Sequence, residues 1–169
     1  GWLRDKLGTL KPDPALEHAA TQMLRRAQNW EAVLLLLDEA DPEAADGAGL
    51  HRLALRAVAN EASETVVDGL IARLKNEADP RRRGEYADML SRVYKKPAPW
   101  TYWGFRPAPR PANPVSWERT PAIQQALSQA LVDADPDVRM LALKQMRREH
   151  VPVLLESLAA WLSTEKETQ

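Results

Sequence analysis

Apolar residues recur at intervals of three and four along most of the chain, the period of a helix that turns one face to a core. Leu16, Ala19, Ala20, Met23, Leu24 and Ala27 line one stripe, and Trp30, Val33, Leu34 and Leu37 line the next. Six further stripes run through Leu50–Val58, Val66–Leu74, Tyr86–Tyr94, Ile123–Leu131, Val138–Met146 and Leu154–Leu162. Each predicts a helix of roughly 11 to 16 residues, and no segment alternates as a half-buried strand would. Asp-Pro pairs at Asp13-Pro14, Asp41-Pro42, Asp79-Pro80 and Asp135-Pro136 stand ahead of helical stretches. Asp offers a carboxylate to the free amides of a first turn, and Pro at the first helical position gives up no hydrogen bond. Thr120-Pro121 and His150-Val151-Pro152 mark two further starts.

Eight helices joined by mostly short connections pair into four antiparallel hairpins. One hairpin alone leaves an apolar face wet, so the pairs are expected to stack into a right-handed all-α solenoid with a continuous core. A compact orthogonal bundle is the alternative that the pattern leaves open. The whole chain, 1–169, reads as a single helical-repeat domain. Trp2-Leu3 at its start resembles the Trp161-Leu162 that ends the last stripe, so it also reads as a fragment of a longer chain.

The clearest repeat runs from Leu131 through Asp133-Ala134-Asp135-Pro136-Asp137-Val138-Arg139 and Leu141-Ala142-Leu143 to Val151-Pro152-Val153-Leu154-Leu155. With its Asp before the turn, Asp-Val-Arg opening the first helix and Pro opening the second, the stretch 131–162 resembles a HEAT repeat. The fold class expected is therefore a HEAT-like α-solenoid of about four helix pairs. The resemblance implies that Asp133 and Arg139 form a structural polar ladder between neighbouring repeats. His51 stands at the corresponding place in an earlier repeat.

The helical pattern breaks from Tyr94 to Glu118, where six of the ten aromatic residues and six of the 13 prolines fall within 25 positions. Helix does not pass through that proline density. Residues 96–119 are thus expected to form an irregular insertion within the third helix pair. Trp100, Tyr102, Trp103, Phe105 and Trp117 supply flat apolar faces, and Arg106, Arg110 and Arg119 supply forked cations that stack on them or clamp an anion. One reading has the loop fold back and plug the groove between helices. Another makes Trp100, Tyr102, Trp103, Phe105, Arg106, Arg110 and Trp117 a binding surface for a protein partner or a glycan.

The run Trp103-Gly104-Phe105-Arg106-Pro107 to Val115-Ser116-Trp117-Glu118, followed directly by a helix and the HEAT-like repeat, carries a second resemblance. It is similar to the HEAT-repeat region of large multidomain proteins of Planctomycetes and Verrucomicrobia, described as membrane-bound dehydrogenase-like or haem-binding domain proteins. The similarity covers about residues 86 to 162. It implies an exported chain, in the periplasm or cell envelope, beside a β-propeller and a cytochrome-type haem domain. The haem-attachment pattern Cys-x-x-Cys-His is absent, so no cofactor is expected here.

Composition narrows the chemistry. With 23 Lys plus Arg against 24 Asp plus Glu, the net charge of -1 gives no global pull toward nucleic acid or an anionic membrane. A helical-repeat nucleic-acid enzyme, which needs a basic surface, is disfavoured on that ground. The chain has no cysteine, which removes disulfides, thiolate metal sites and a Cys nucleophile. The longest apolar run, Ala32–Leu37, falls far short of the roughly 20 residues of a membrane span. His18, His51 and His150 lack ligand spacing, and no Gly-x-Ser-x-Gly or phosphate-cradling loop occurs. Arg81-Arg82-Arg83 opens the fifth helix against its dipole and needs acidic neighbours, for which the stretch 38–46 is one candidate. Gly47-Ala48-Gly49 reads as a relaxed turn. The function expected is non-catalytic: an interaction or scaffolding module that docks a partner or an adjacent domain, with glycan binding as the alternative.

Overall fold

The structure is a computed structural model and describes residues 13–39, 47–99, 113–153 and 159. Among these residues are seven helices and no strand: α1 (Pro14–Ala27), α2 (Trp30–Glu39), α3 (Gly47–Val58), α4 (Glu64–Asn76), α5 (Pro80–Arg92), α6 (Thr120–Ala130) and α7 (Pro136–Arg148). The protein is all-α. The first seven apolar stripes each lie on one of these helices; the eighth, Leu154–Leu162, lies outside the described residues except for Ala159. The chain divides into two compact units, 1–69 and 70–169.

In the first unit, Asp13 caps α1 by accepting a hydrogen bond from the Ala15 amide at 2.9 Å, with Pro14 at the first helical position. Gln28, at φ 51°, turns the chain left-handed and ends the helix. Asn29 then opens α2 by accepting from the Ala32 amide at 3.2 Å. Helix α3 packs on both α1 and α2. Trp30, Val33, Leu34 and Leu37 on α2 and Leu53, Ala54, Ala57 and Val58 on α3 are buried. Gly47-Ala48-Gly49 forms the start of α3 rather than a turn, one turn ahead of the stripe that marks it. Glu17 on α1 accepts from Arg52 at 3.0 Å and from Arg56. Further along, Arg25 donates to the carbonyls of Arg56 (2.7 Å), Ala57 (3.1 Å) and Ala59 (2.9 Å). Helices α1 and α3 therefore run in the same direction, and a guanidinium satisfies carbonyls that the end of α3 leaves without helical partners.

The second unit begins part-way along α4, at Leu70. Asp79 caps α5 through the Arg81 amide, and Asp135 caps α7 through the Asp137 and Val138 amides. Helix α5 lies against α7, and α6 packs on both. The first turns of α5 and α7 line one cleft, while Asp88 near the far end of α5 pairs with Arg148 at the end of α7, so these helices also run in the same direction. A Cβ at Gly84 would lie 2.7 Å from Leu141 Cδ2, which is why the two helices meet closely there. Tyr86, Leu90, Ile123, Leu127, Val138, Ala142 and Met146 form the core, each with 2% or less of its surface exposed. Burying a Leu or Ile of this kind contributes about 2 kcal/mol.

The stripe that ends at Tyr94 outlasts its helix. Helix α5 stops at Arg92, yet Val93 and Tyr94 stay buried because their amides reach back to the Leu90 and Ser91 carbonyls in a tightened last turn. At the end of α7 the His150 amide donates to Arg147 and the Val151 amide to Met146, with His150 left-handed at φ 54°. This is a Schellman cap with buried Val151 as its apolar anchor. Left-handed backbone is costly for any residue with a Cβ, and His150 is exposed. His150→Gly is expected to raise stability by about 0.5–1 kcal/mol, and His150→Val to lower it, in urea denaturation followed by circular dichroism.

Candidate functional site

Two constellations stand out, both in the second unit. The first is a pair of matching arginine sites at the openings of α5 and α7. Arg83 Nη1 donates to the carbonyls of Glu77 (3.1 Å) and Ala78 (2.8 Å), and Arg139 Nη1 donates to those of Asp133 (2.8 Å) and Ala134 (3.0 Å). The acid ahead of each turn repeats the match: Glu77 accepts from the Asp79 amide at 3.0 Å, and Asp133 accepts from the Asp135 amide at 2.9 Å. Both stretches read acid-Ala-Asp-Pro-x-x-Arg. They are one turn built twice.

The two copies are joined by a fork. Arg83 Nε and Nη2 each donate to the Asp133 carboxylate at 2.8 Å, a two-pronged bond between side chains each 14% exposed. Burial pushes the Asp133 carboxyl upward, but the hydrogen bonds from Arg83 and the Asp135 amide, with the charges of Arg83 and Arg139, hold it below the usual carboxylate range. Arg82 pairs with Glu77 at 3.7 Å and Arg81 with Glu85 at 3.6 Å. The triple arginine is thus matched by acids of its own unit; of the stretch 38–46, residues 40–46 lie outside the described residues.

The second constellation is the neck of the insertion. Lys96 and Val115 form an antiparallel bridge with bonds of 2.8 and 3.1 Å. The Trp117 indole is buried and donates to the Val93 carbonyl at 2.9 Å. Thr120 Oγ1 donates to the Tyr94 carbonyl at 2.8 Å and accepts from the Trp117 amide at 3.0 Å. Asn113 Nδ2 donates to the Arg92 carbonyl at 3.4 Å. The Lys96 ammonium sits 4.0 Å over the Trp117 ring, and that of Lys95 sits 5.8 Å over Tyr94. Thr120 is the first residue of α6, one past the N-cap position at Arg119, and its hydroxyl is joined to the neck.

No protein-family model, curated protein or solved structure matches this chain.

Of the residues expected to form a binding surface, Trp117 is a buried anchor of the neck. Trp100, Tyr102, Trp103, Phe105, Arg106 and Arg110 lie outside the described residues. Asp133 takes the fork of Arg83, and Arg139 holds the carbonyls of its own turn. Sequence reasoning passed over Arg83 as the partner of Asp133. The signal was present: acid-Ala-Asp-Pro occurs at 39–42, 77–80 and 133–136, and the last two copies have Arg at the same offset.

Open clefts of about 500 Å³ between the first turns of α5 and α7, and about 180 Å³ beside Ile71, Leu74 and Ala126, gather no nucleophile with a base. Among the described residues, no group of three or more His, Asp or Glu side chains is placed to hold a metal, and no helix is long and apolar enough to cross a membrane. His18 is exposed and His51 buried.

Asp133→Asn is expected to lower stability by about 2 kcal/mol, because it leaves a largely buried guanidinium without its counter-charge. A carboxyl with a depressed pKa stabilises fully above its unfolded value. The gap between wild type and Asp133→Asn is therefore full above about pH 4 and closes as pH falls below it, a trend read from denaturant midpoints across an acid series. Trp117→Phe keeps an aromatic ring but removes the pyrrole ring with its N–H, which orphans the Val93 carbonyl, and is expected to cost at least about 1–2 kcal/mol in the same measurement.

Proposed function

We propose that this chain is a non-catalytic, HEAT-like docking module whose helix pairs stack as a solenoid and hold out the aromatic, proline-rich insertion to a protein partner or a neighbouring domain. The observation that carries the reading is the neck. Backbone bridge, indole, threonine and asparagine fix both ends of the insertion to α5 and α6. The sequence between these fixed ends is rich in Trp, Arg and Pro. Trp, Tyr and Arg dominate interface energetics, and extended proline-rich segments enter contacts with little left to order.

Support for the stacked arrangement comes from each unit by itself. Helices α1 and α3 run in one direction in the first, and α5 and α7 do so in the second. The twice-built acid-Ala-Asp-Pro turn is the mark of a repeated unit. At the helix openings Arg83 pairs with Asp133 and Arg139 with the backbone of its own turn, the sign of structural rather than chemical duty. The resemblance to the helical region of large exported multidomain proteins fits a part that holds other domains in place.

The test is photo-crosslinking from benzoylphenylalanine at position 103 in the full chain, with a probe at Lys144 as control. A discrete adduct with one purified partner protein is expected at 103 and not at 144. In separate chains, with the probe moved to position 102, Trp103→Ala and Arg106→Ala are expected to lose the adduct and keep helix content and melting temperature. Unfolding of those variants would make the insertion part of the core and overturn the reading. Adducts equal at both probes would overturn it as well, as would a saccharide that perturbs indole fluorescence through the same residues.

A further inference from the structure

We propose that the basic end of the second unit, at the C-terminus of α5 and the neck of the insertion, docks an acidic segment of a partner protein. The proposal rests on the docking reading above and names the chemistry of the partner. Within a chain of net charge -1, residues 92–119 carry Arg92, Lys95, Lys96, Arg106, Arg110 and Arg119 against Glu118 alone.

Cations at a helix C-terminus ordinarily answer its free carbonyls and the negative end of its dipole. Here neutral donors have taken that work. The carbonyls of Arg92, Val93 and Tyr94 accept from Asn113, the Trp117 indole and Thr120. Arg92 is engaged by Asp88, which also holds Arg148. Lys95 and Lys96 have no carboxylate within salt-bridge distance among the described residues; each ammonium lies over a ring instead. An aromatic face attracts a cation without cancelling its charge. Lys96 is also fixed at its backbone by both bonds of the bridge to Val115, so part of the ordering cost of binding is met beforehand.

Two positive charges with no carboxylate beside them among the described residues suit carboxylates spaced along a peptide. A nucleic acid asks for a long basic track, and the balance of the whole chain opposes one. A second copy of this chain is the remaining source of acid, since residues 1–69 hold seven Lys plus Arg against 12 Asp plus Glu.

The experiment titrates the full chain into three fluorescein-labelled probes, a short Glu/Asp-rich peptide, its Lys-rich counterpart and oligo-dT, and reads anisotropy at low and high salt. The acidic peptide is expected to bind, more weakly at high salt, while the basic one does not. Lys95→Glu with Lys96→Glu is expected to weaken it by at least about tenfold, or about 1.4 kcal/mol. Lys95→Gln with Lys96→Gln, which puts no anion on the rings, is expected to weaken it less and to melt as wild type does. Absence of acidic-peptide binding, or binding indifferent to both double variants, overturns the proposal. Tighter binding of oligo-dT reassigns the patch to nucleic acid, and self-association abolished by the same variants reassigns it to a second copy; either overturns it. An adduct at position 103 without acidic-peptide binding removes only the chemistry named here. Acidic-peptide binding with an adduct indifferent to Trp103→Ala removes only the docking reading.

Discussion

A guanidinium taken out of water is costly unless its donors find acceptors, and the second unit is organised around meeting that condition at Arg83. Arg83 spends one nitrogen on the carbonyls just ahead of its own helix and the rest of its fork on Asp133. That carboxylate also takes the Asp135 amide, so the same oxygens that neutralise Arg83 shape the turn into α7. Helix opening, turn and cross-helix pairing thus share one set of atoms. A lysine in place of Arg83 keeps the charge but not the fork, and so cannot hold two carbonyls and a carboxylate together. The close approach at Gly84 follows at the next residue, where α5 has room for Leu141 only because no Cβ intervenes.

The same device appears in the first unit in another form. Arg25 closes the end of α3 rather than the start of its own helix, and Glu17 occupies the place, four residues after the capping Asp, that Arg83 and Arg139 occupy later. The charge at that position is reversed, and so are its partners, Arg52 and Arg56. What persists between the units is a cross-helix ion pair close to a capped opening, not a fixed residue type.

Much of this was legible in the chain because the signals are local. Asp13, Asp79 and Asp135 cap as their Asp-Pro pairs announce, and each stripe from Leu16 to Met146 marks a helix, because capping and one-sided burial act within a few residues. The pairing of Arg83 with Asp133 was not legible in that way, since 50 positions separate them and only the packing of α5 on α7 brings them together. Where local cues misled, a competing contact won. Gly47 and Gly49 stand in helix because α3 has an apolar face to bury, and Arg119 rather than Thr120 stands at the N-cap position of α6 while the Thr120 hydroxyl joins the Tyr94 carbonyl. Of the expected binding surface, Trp117 is the residue that the structure describes, and its indole serves as an anchor of the neck.

The neck also bears on what the insertion is free to do. Closing a loop of 18 residues between Lys96 and Val115 carries a length-dependent entropic cost of roughly 2.5 kcal/mol. Against it stand the two bridge bonds and those made by Trp117, Thr120 and Asn113, each contributing about 1 kcal/mol. The burial of the Trp117 ring adds to them. These terms offset closure without any help from residues 97–112. The tryptophans and arginines of that stretch are therefore not needed to hold the ends of the loop together. Their concentration in one segment calls for a cause outside the closure of the loop, and the proposed docking is offered as that cause.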